Sequence, residues 1–137
     1  MKALCQAFYT AYQSSALASS LTGGMHFHNV PLGTAAPFGI YFSPGAPAED
    51  TFDAEIYDVD LQISLVSDAS SPGALLDICS TAMTAFDNLT LSPTSRPTAI
   101  LIRKNFQPPI DMANDQDAPL WQAILDYSVV YQRRERT

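Results

Sequence analysis

Hydrophobic and polar residues alternate most strictly between Ala54 and Val66. There Tyr57, Val59, Leu61, Ile63 and Leu65 interleave with Asp58, Asp60, Gln62 and Ser64. Successive side chains of a strand point to opposite faces, so the pattern predicts a long strand with one face buried and one face wet. A solvated sheet face goes with antiparallel pairing. Elsewhere the period changes. Leu4, Phe8, Ala11 and Tyr12 recur at three- and four-residue spacing, and Leu17 and Leu21 continue the stripe, which predicts an amphipathic helix over residues 2–20, stopped by Gly23-Gly24. A second helical stripe runs through Leu75, Cys79, Ala82, Phe86 and Leu89, with Ser70-Ser71-Pro72 as its start signal and Pro93 beyond its end.

Four further segments read as strands. Met25 to Asn29 is short, and Phe38 to Ser43 is aromatic and β-branched between turn-forming stretches. Thr98 to Phe106 is expected to end at Pro108-Pro109. In Leu120 to Arg133, the residues Trp121, Ala123, Leu125, Tyr127, Val129 and Tyr131 share one face. The segments 44–53 and 108–119 read as loops. The order is helix, two strands, long strand, helix, two long strands, with no internal repeat and no linker able to separate domains. The expected architecture is therefore α+β: one domain over 1–137, with a largely antiparallel four- to five-stranded sheet and two helices packed on one face.

Composition narrows the functional classes. Charged residues make up 15% of the chain, against roughly 25% in an average soluble domain. With 47% apolar residues the chain can build a core, which excludes disorder. A net charge of −7 excludes a phosphate-neutralising nucleic-acid binder, which needs a clustered basic face. Cys5 and Cys79 fall on or near the helical apolar stripes and read as buried reduced thiols. The N-terminal MKALCQAFYTAY is interrupted by Gln6, Thr10 and Tyr12, so neither a secretory signal nor a membrane span is expected.

No constellation of catalytic residues stands out. His26 and His28 lie two apart on a short strand and would share a face, but nothing in the sequence supplies a third metal ligand. Asp58 and Asp60 are neighbours on the wet face of the long strand; as an acid–base pair they would need a desolvated pocket that separates their pKa values. Asp111, Asn114, Asp115 and Asp117 resemble a calcium loop in composition but lack its central Gly and its closing Glu. Phosphate-loop, dinucleotide, nucleophile-elbow and zinc-protease signatures are absent. No catalytic residue, metal or cofactor is assigned, and the pattern fits a binding or assembly module.

Taken together, the segments resemble the tail-completion, or tail-terminator, proteins of tailed bacteriophages. The resemblance rests on the helix Leu4 to Leu21 and the aromatic strand Met25-His26-Phe27-His28. It continues through the Pro-introduced strand Pro37 to Phe42, the long strand Tyr57 to Ser67 with its apolar-x-apolar-Ser run, the helix Pro72 to Leu89, and the closing strand Ala123 to Tyr131. It departs in the long acidic loop Asp111 to Pro119 and in a stretch, Leu91 to Pro97, without glycine.

The resemblance implies a non-enzymatic virion protein of the tail or neck, assembled in the host cytoplasm. It implies a homo-oligomeric ring, a hexamer, that ends the tail tube and offers a docking surface to the head-side connector. The partners implied are the tail-tube protein and the head-completion or connector protein, with DNA passing through the bore without specific binding and no membrane involved. An acidic bore repels phosphates, which makes Glu49, Asp50, Asp53, Asp58, Asp60, Asp111, Asp115 and Asp117 candidates for the lumen or a partner-facing surface. Candidate subunit contacts are Phe52, the edges around Phe38 and Tyr41, and the basic tail residues Arg133, Arg134 and Arg136. The alternatives are a head-completion or adaptor ring of the neck, a small enzyme using the Asp58/Asp60 pair, and a monomeric ligand-binding module built on the aromatic strands around Phe38 and Tyr57.

Overall fold

The structure, a computed structural model, describes residues 2–43, 59–69, 71–92, 98–112 and 120–131. Its elements in chain order are α1 (Lys2–Gln13), α2 (Leu17–Ser20), β1 (Met25–Phe27), β2 (Phe38–Phe42), β3 (Val59–Ser67), α3 (Gly73–Phe86), β4 (Thr90–Leu91), β5 (Ala99–Asp111) and β6 (Trp121–Tyr131). The strands form one sheet in the order β1-β2-β3-β6-β5-β4. All pairs are antiparallel except β1 and β2, which run parallel.

The fold class is α+β as expected, and the details differ in four places. The sheet has six strands rather than four or five, because β4 is two residues long and too short to show a period, and it is mixed because β1 and β2 run parallel. The N-terminal helix is broken in two. Ser15 Oγ donates to the Tyr12 carbonyl at 2.6 Å, a local bond that competes with the helical ladder. The break redirects the chain so that Leu17 reaches the core, fully buried. At α3, Pro72 occupies the N-cap with no side-chain cap bond. The helix ends at Phe86, three residues before the expected Leu89, where Asn88 takes a left-handed conformation (φ 61°) that Asn tolerates.

The fourth difference is at Pro108-Pro109, where β5 continues to Asp111 instead of stopping. The register slips between Gln107 and Ile110, so the two prolines sit in a bulge. β4 covers only Ala99 and Ile100 of β5. At the prolines, β5 therefore has no outer strand among the described residues to require their missing N–H groups.

The helices pack on one face of the sheet. Leu61, Ile63 and Leu65 of β3, together with Ala123, Leu125, Tyr127 and Val129 of β6, form its floor. Phe8 is fully buried between Tyr41 (ring centroids 5.0 Å) and Phe86 (4.9 Å), and so ties α1 to both the sheet and α3. Cys5 and Cys79 are free and buried in this layer. Burial raises both thiol pKa values, that of Cys79 to about 11, so neither is a ready nucleophile at neutral pH. Gly23 ties the turn after α2 to the start of β2, its N–H bonded to the Pro37 carbonyl at 2.8 Å. A Cβ there would stand 1.9 Å from the Ala35 carbonyl oxygen, so only glycine fits. Among the described residues no helix is long and apolar enough to cross a membrane.

Candidate assembly surface

The sheet face turned away from the helices is the chemically varied one. Alternation along β3 places Asp60, Gln62, Ser64 and Val66 on it, and pairing aligns them with Ser128, Asp126, Ile124 and Gln122 of β6. A polar belt crosses its middle. Lys104 Nζ donates to Asp60 Oδ2 at 3.1 Å, and Gln62 Nε2 donates to Asp126 Oδ1 at 3.0 Å. Lys104 reaches this face because the register shifts between Arg103 and Asn105.

The face is less wet than strict alternation suggests, since Ser64 and Val66 are buried. At that end His28, Asn29 and Val30 approach from the loop after β1, and Met112 and Leu120 approach from the base of the β5–β6 hairpin. Between them lies an open groove of about 380 Å³, floored by Phe38, Ile40 and Val66. Met112 N–H bonds the Leu120 carbonyl at 2.7 Å and so fixes the hairpin wall. The opposite corner is also apolar: Ile100 pairs with Val130 and Ile102 with Ser128, and Ile102 and Val130 are exposed.

A second polar cluster sits at the end of α3. Asp87 follows the last helical residue, where a carboxylate opposes the helix dipole. It is compensated from the sheet: Tyr127 Oη donates to Asp87 Oδ1 at 2.6 Å, and Arg103 Nη2 stands 3.5 Å from Asp87 Oδ2. Arg103 also contacts the Met83 sulfur. Burial, reinforced by the Asp87 bond, pushes the Tyr127 phenol far above its ordinary pKa. This cluster holds α3 on the sheet.

Of the candidate lumen residues, Asp60 and Asp111 are described. Asp60 lies beside Ser128 in the polar belt, and Asp111 is exposed at the other end of the sheet, beside Trp121, so the fold keeps them apart. Glu49, Asp50, Asp53, Asp58, Asp115 and Asp117 lie outside the described residues, as do Phe52, Arg133, Arg134 and Arg136. Tyr41, expected at an exposed edge, is buried against Phe8, and Phe38 is half-buried in the groove floor.

The two histidines are not a strand pair. β1 ends at Phe27, and His28 has a positive φ of 66°. His26 Nε2 is 2.6 Å from the Gly23 carbonyl oxygen, while the His28 ring packs against Phe27 and Phe42. No group of three His, Cys, Asp or Glu side chains among the described residues could hold a metal ion. The exposed apolar corners escaped the sequence reading. Their signal was the run Ala99-Ile100-Leu101-Ile102 and the doublet Val129-Val130, where both faces of a strand are apolar at once.

No known family model matches the chain, and no curated protein matches it in sequence. Among solved structures, it is similar to a chain from the virion of the native gene transfer agent (GTA) particle. The TM-score is 0.55 at 16% identity, covering 93% of this chain and 97% of that one. The likeness extends over nearly the whole of both chains and is one of fold.

Proposed function

We propose that this chain is a structural protein of a phage-like virion, and within it a tail terminator. In this reading several copies, six in number, form a ring on the last tier of the tail tube. One ring face matches the tube, and the other refuses another tube subunit and accepts the head-side connector. The work is steric, with no covalent step, and DNA passes through the bore without specific binding. The ring belongs to the tail or neck of the particle and is assembled in the host cytoplasm.

The observation that carries this reading is the near end-to-end similarity of fold to a chain of the GTA virion. The element order and the β3 alternation that resemble tail-terminator proteins point the same way. The net charge of −7 suits a surface that DNA slides past, since carboxylates repel phosphates and release no counterions. The acidic residues named for the bore are part of this proposal. So are the contacts assigned to Phe52 and the Arg133–Arg136 tail, because deleting residues 132–137 is expected to weaken the ring.

Removal of the gene from a particle-producing strain tests the role. A terminator leaves headless tubes that have grown past their normal length. Tubes of normal length that fail only to join heads identify an adaptor of the neck instead, and normal particles exclude a structural role.

A further inference from the structure

The distribution of charge says where copies of this chain can meet. Residues 3–48 contain no Asp, Glu, Lys or Arg, although the whole chain carries a net charge of −7. That stretch builds α1, α2, β1 and β2, and β1 is one edge of the sheet. Two copies of an acidic protein repel wherever their carboxylates face each other, so they approach most readily on uncharged surface. The uncharged edge is also apolar. Phe27 is 50% exposed, and Leu32, just beyond it, is 105% exposed.

Leu32 is held out rather than left loose. The Thr34 N–H bonds the Pro31 carbonyl at 3.1 Å, Thr34 Oγ1 donates to the same oxygen at 2.6 Å, and Gly33 supplies the positive φ of 86° that the turn requires. An apolar side chain presented on a closed turn loses little conformational entropy on docking.

The far edge of the sheet offers a matching surface. There β5 runs past the two-residue β4, and Ile102 and Val130 are exposed beside Ile100. The neighbouring cations of β5 are both within reach of the chain's own carboxylates. Arg103 lies 3.5 Å from Asp87, and Lys104 lies 3.1 Å from Asp60. Among the described residues both edges are thus apolar and close to neutral within an acidic molecule, and they lie on opposite sides of the sheet. A contact between two different surfaces of one chain is heterologous, and it closes into a ring when the rotation permits.

We infer that neighbouring subunits meet edge to edge, with the β1 edge and its Leu32 turn of one copy packing on the Ile100/Ile102/Val130 corner of the next. This rests on the ring reading above and supplies its contact.

Two single substitutions on exposed side chains test it, Leu32→Glu and Val130→Glu, with Leu76→Glu on the exposed side of α3 as control. Circular dichroism and melting should show all three folded. Native mass spectrometry reads self-association of the free protein, and electron microscopy of purified tails reads it where the free wild type is monomeric. Each edge variant is expected to lose roughly tenfold or more in ring assembly, from the lost burial of one aliphatic side chain and the buried charge that replaces it. Leu76→Glu should assemble like the wild type.

The mixture is the sharper arm. Leu32→Glu keeps a working β5 edge and Val130→Glu a working β1 edge, so together they should form a one-to-one pair that neither forms alone. Assembly of either edge variant at wild-type strength overturns the inference, as does a mixture that yields no pair when the free wild type self-associates. Rings that persist in the variants but no longer seat on tails also overturn it, because the edge then meets the tube protein and not a second copy. A wild type that forms no ring, free or on tails, is a different result and overturns the ring reading itself.

Discussion

The chain has two regions that hold together by different means. The first, residues 3–48, carries no charged side chain, and its part of the structure depends on aromatic packing and close backbone approach. Phe8 bridges Tyr41 and Phe86, Phe27 packs on Tyr41 at 5.4 Å, and Gly23 touches the Pro37 carbonyl. The second, from β3 to β6, is charged throughout and holds part of that charge in local pairs: Asp60 with Lys104, and Asp87 with Arg103 and Tyr127. A surface without charges resists no neighbour, whereas one whose charges are internally paired stays soluble and specific. In the proposed ring the first region supplies one uncharged contact edge, and the second supplies the apolar corner that receives it beside a polar belt.

The largest effect should come from breaking the first region at its centre. Phe8→Ala removes a fully buried ring shared by α1, β2 and α3. It should cost about 3–5 kcal/mol in chemical denaturation. Gly23→Ala comes next: its Cβ would collide with the Ala35 backbone oxygen. A loss of about 1–3 kcal/mol is expected in the same measurement.

In the second region, Tyr127→Phe leaves Asp87 without its buried donor. Stability should fall by about 1–2 kcal/mol, less than for Phe8→Ala because the ring stays packed. Lys104→Ala should change stability least, by about 0–1 kcal/mol and less in high salt, because both partners of that pair are well exposed.

Alkaline pH sharpens the comparison. Burial, and after it the nearby Cys5 and Tyr9, raises Tyr41 from 10.0 to about 12. Between those values the folded chain keeps a proton that the unfolded chain loses, so this contribution is complete below pH 10 and is lost as pH rises toward 12. Tyr127 adds to the same slope. Denaturation midpoints measured from pH 9 to 11.5 should therefore fall, and Tyr41→Phe should flatten the curve.

Much of the second region was legible in advance. Alternation along Leu61, Ile63 and Leu65 and along Ala123 to Val129 identified the buried faces, because a long strand with one dry face has only one register that buries it. The first region was harder to read. The break at Ser14-Ser15 depends on a hydroxyl bond that no periodicity records, and the parallel β1–β2 pair has no pattern of its own. Prolines at 108–109 read as a stop because the bulge, and the lack of an outer strand there among the described residues, are tertiary facts. Of the site, the polar belt at Asp60 and Gln62 followed from the alternation. The apolar corners did not, because Val130 and Ile102 look like core residues until the structure shows them exposed on the sheet face away from the helices, where β5 runs past a two-residue edge strand.

The central claim is most directly tested by imaging purified tails with an antibody or a fused density tag on this chain. A single ring of label is expected at the head-proximal end of each tube, with six copies in projection. Label along the tube, at the distal tip, or absent from particles altogether would contradict it.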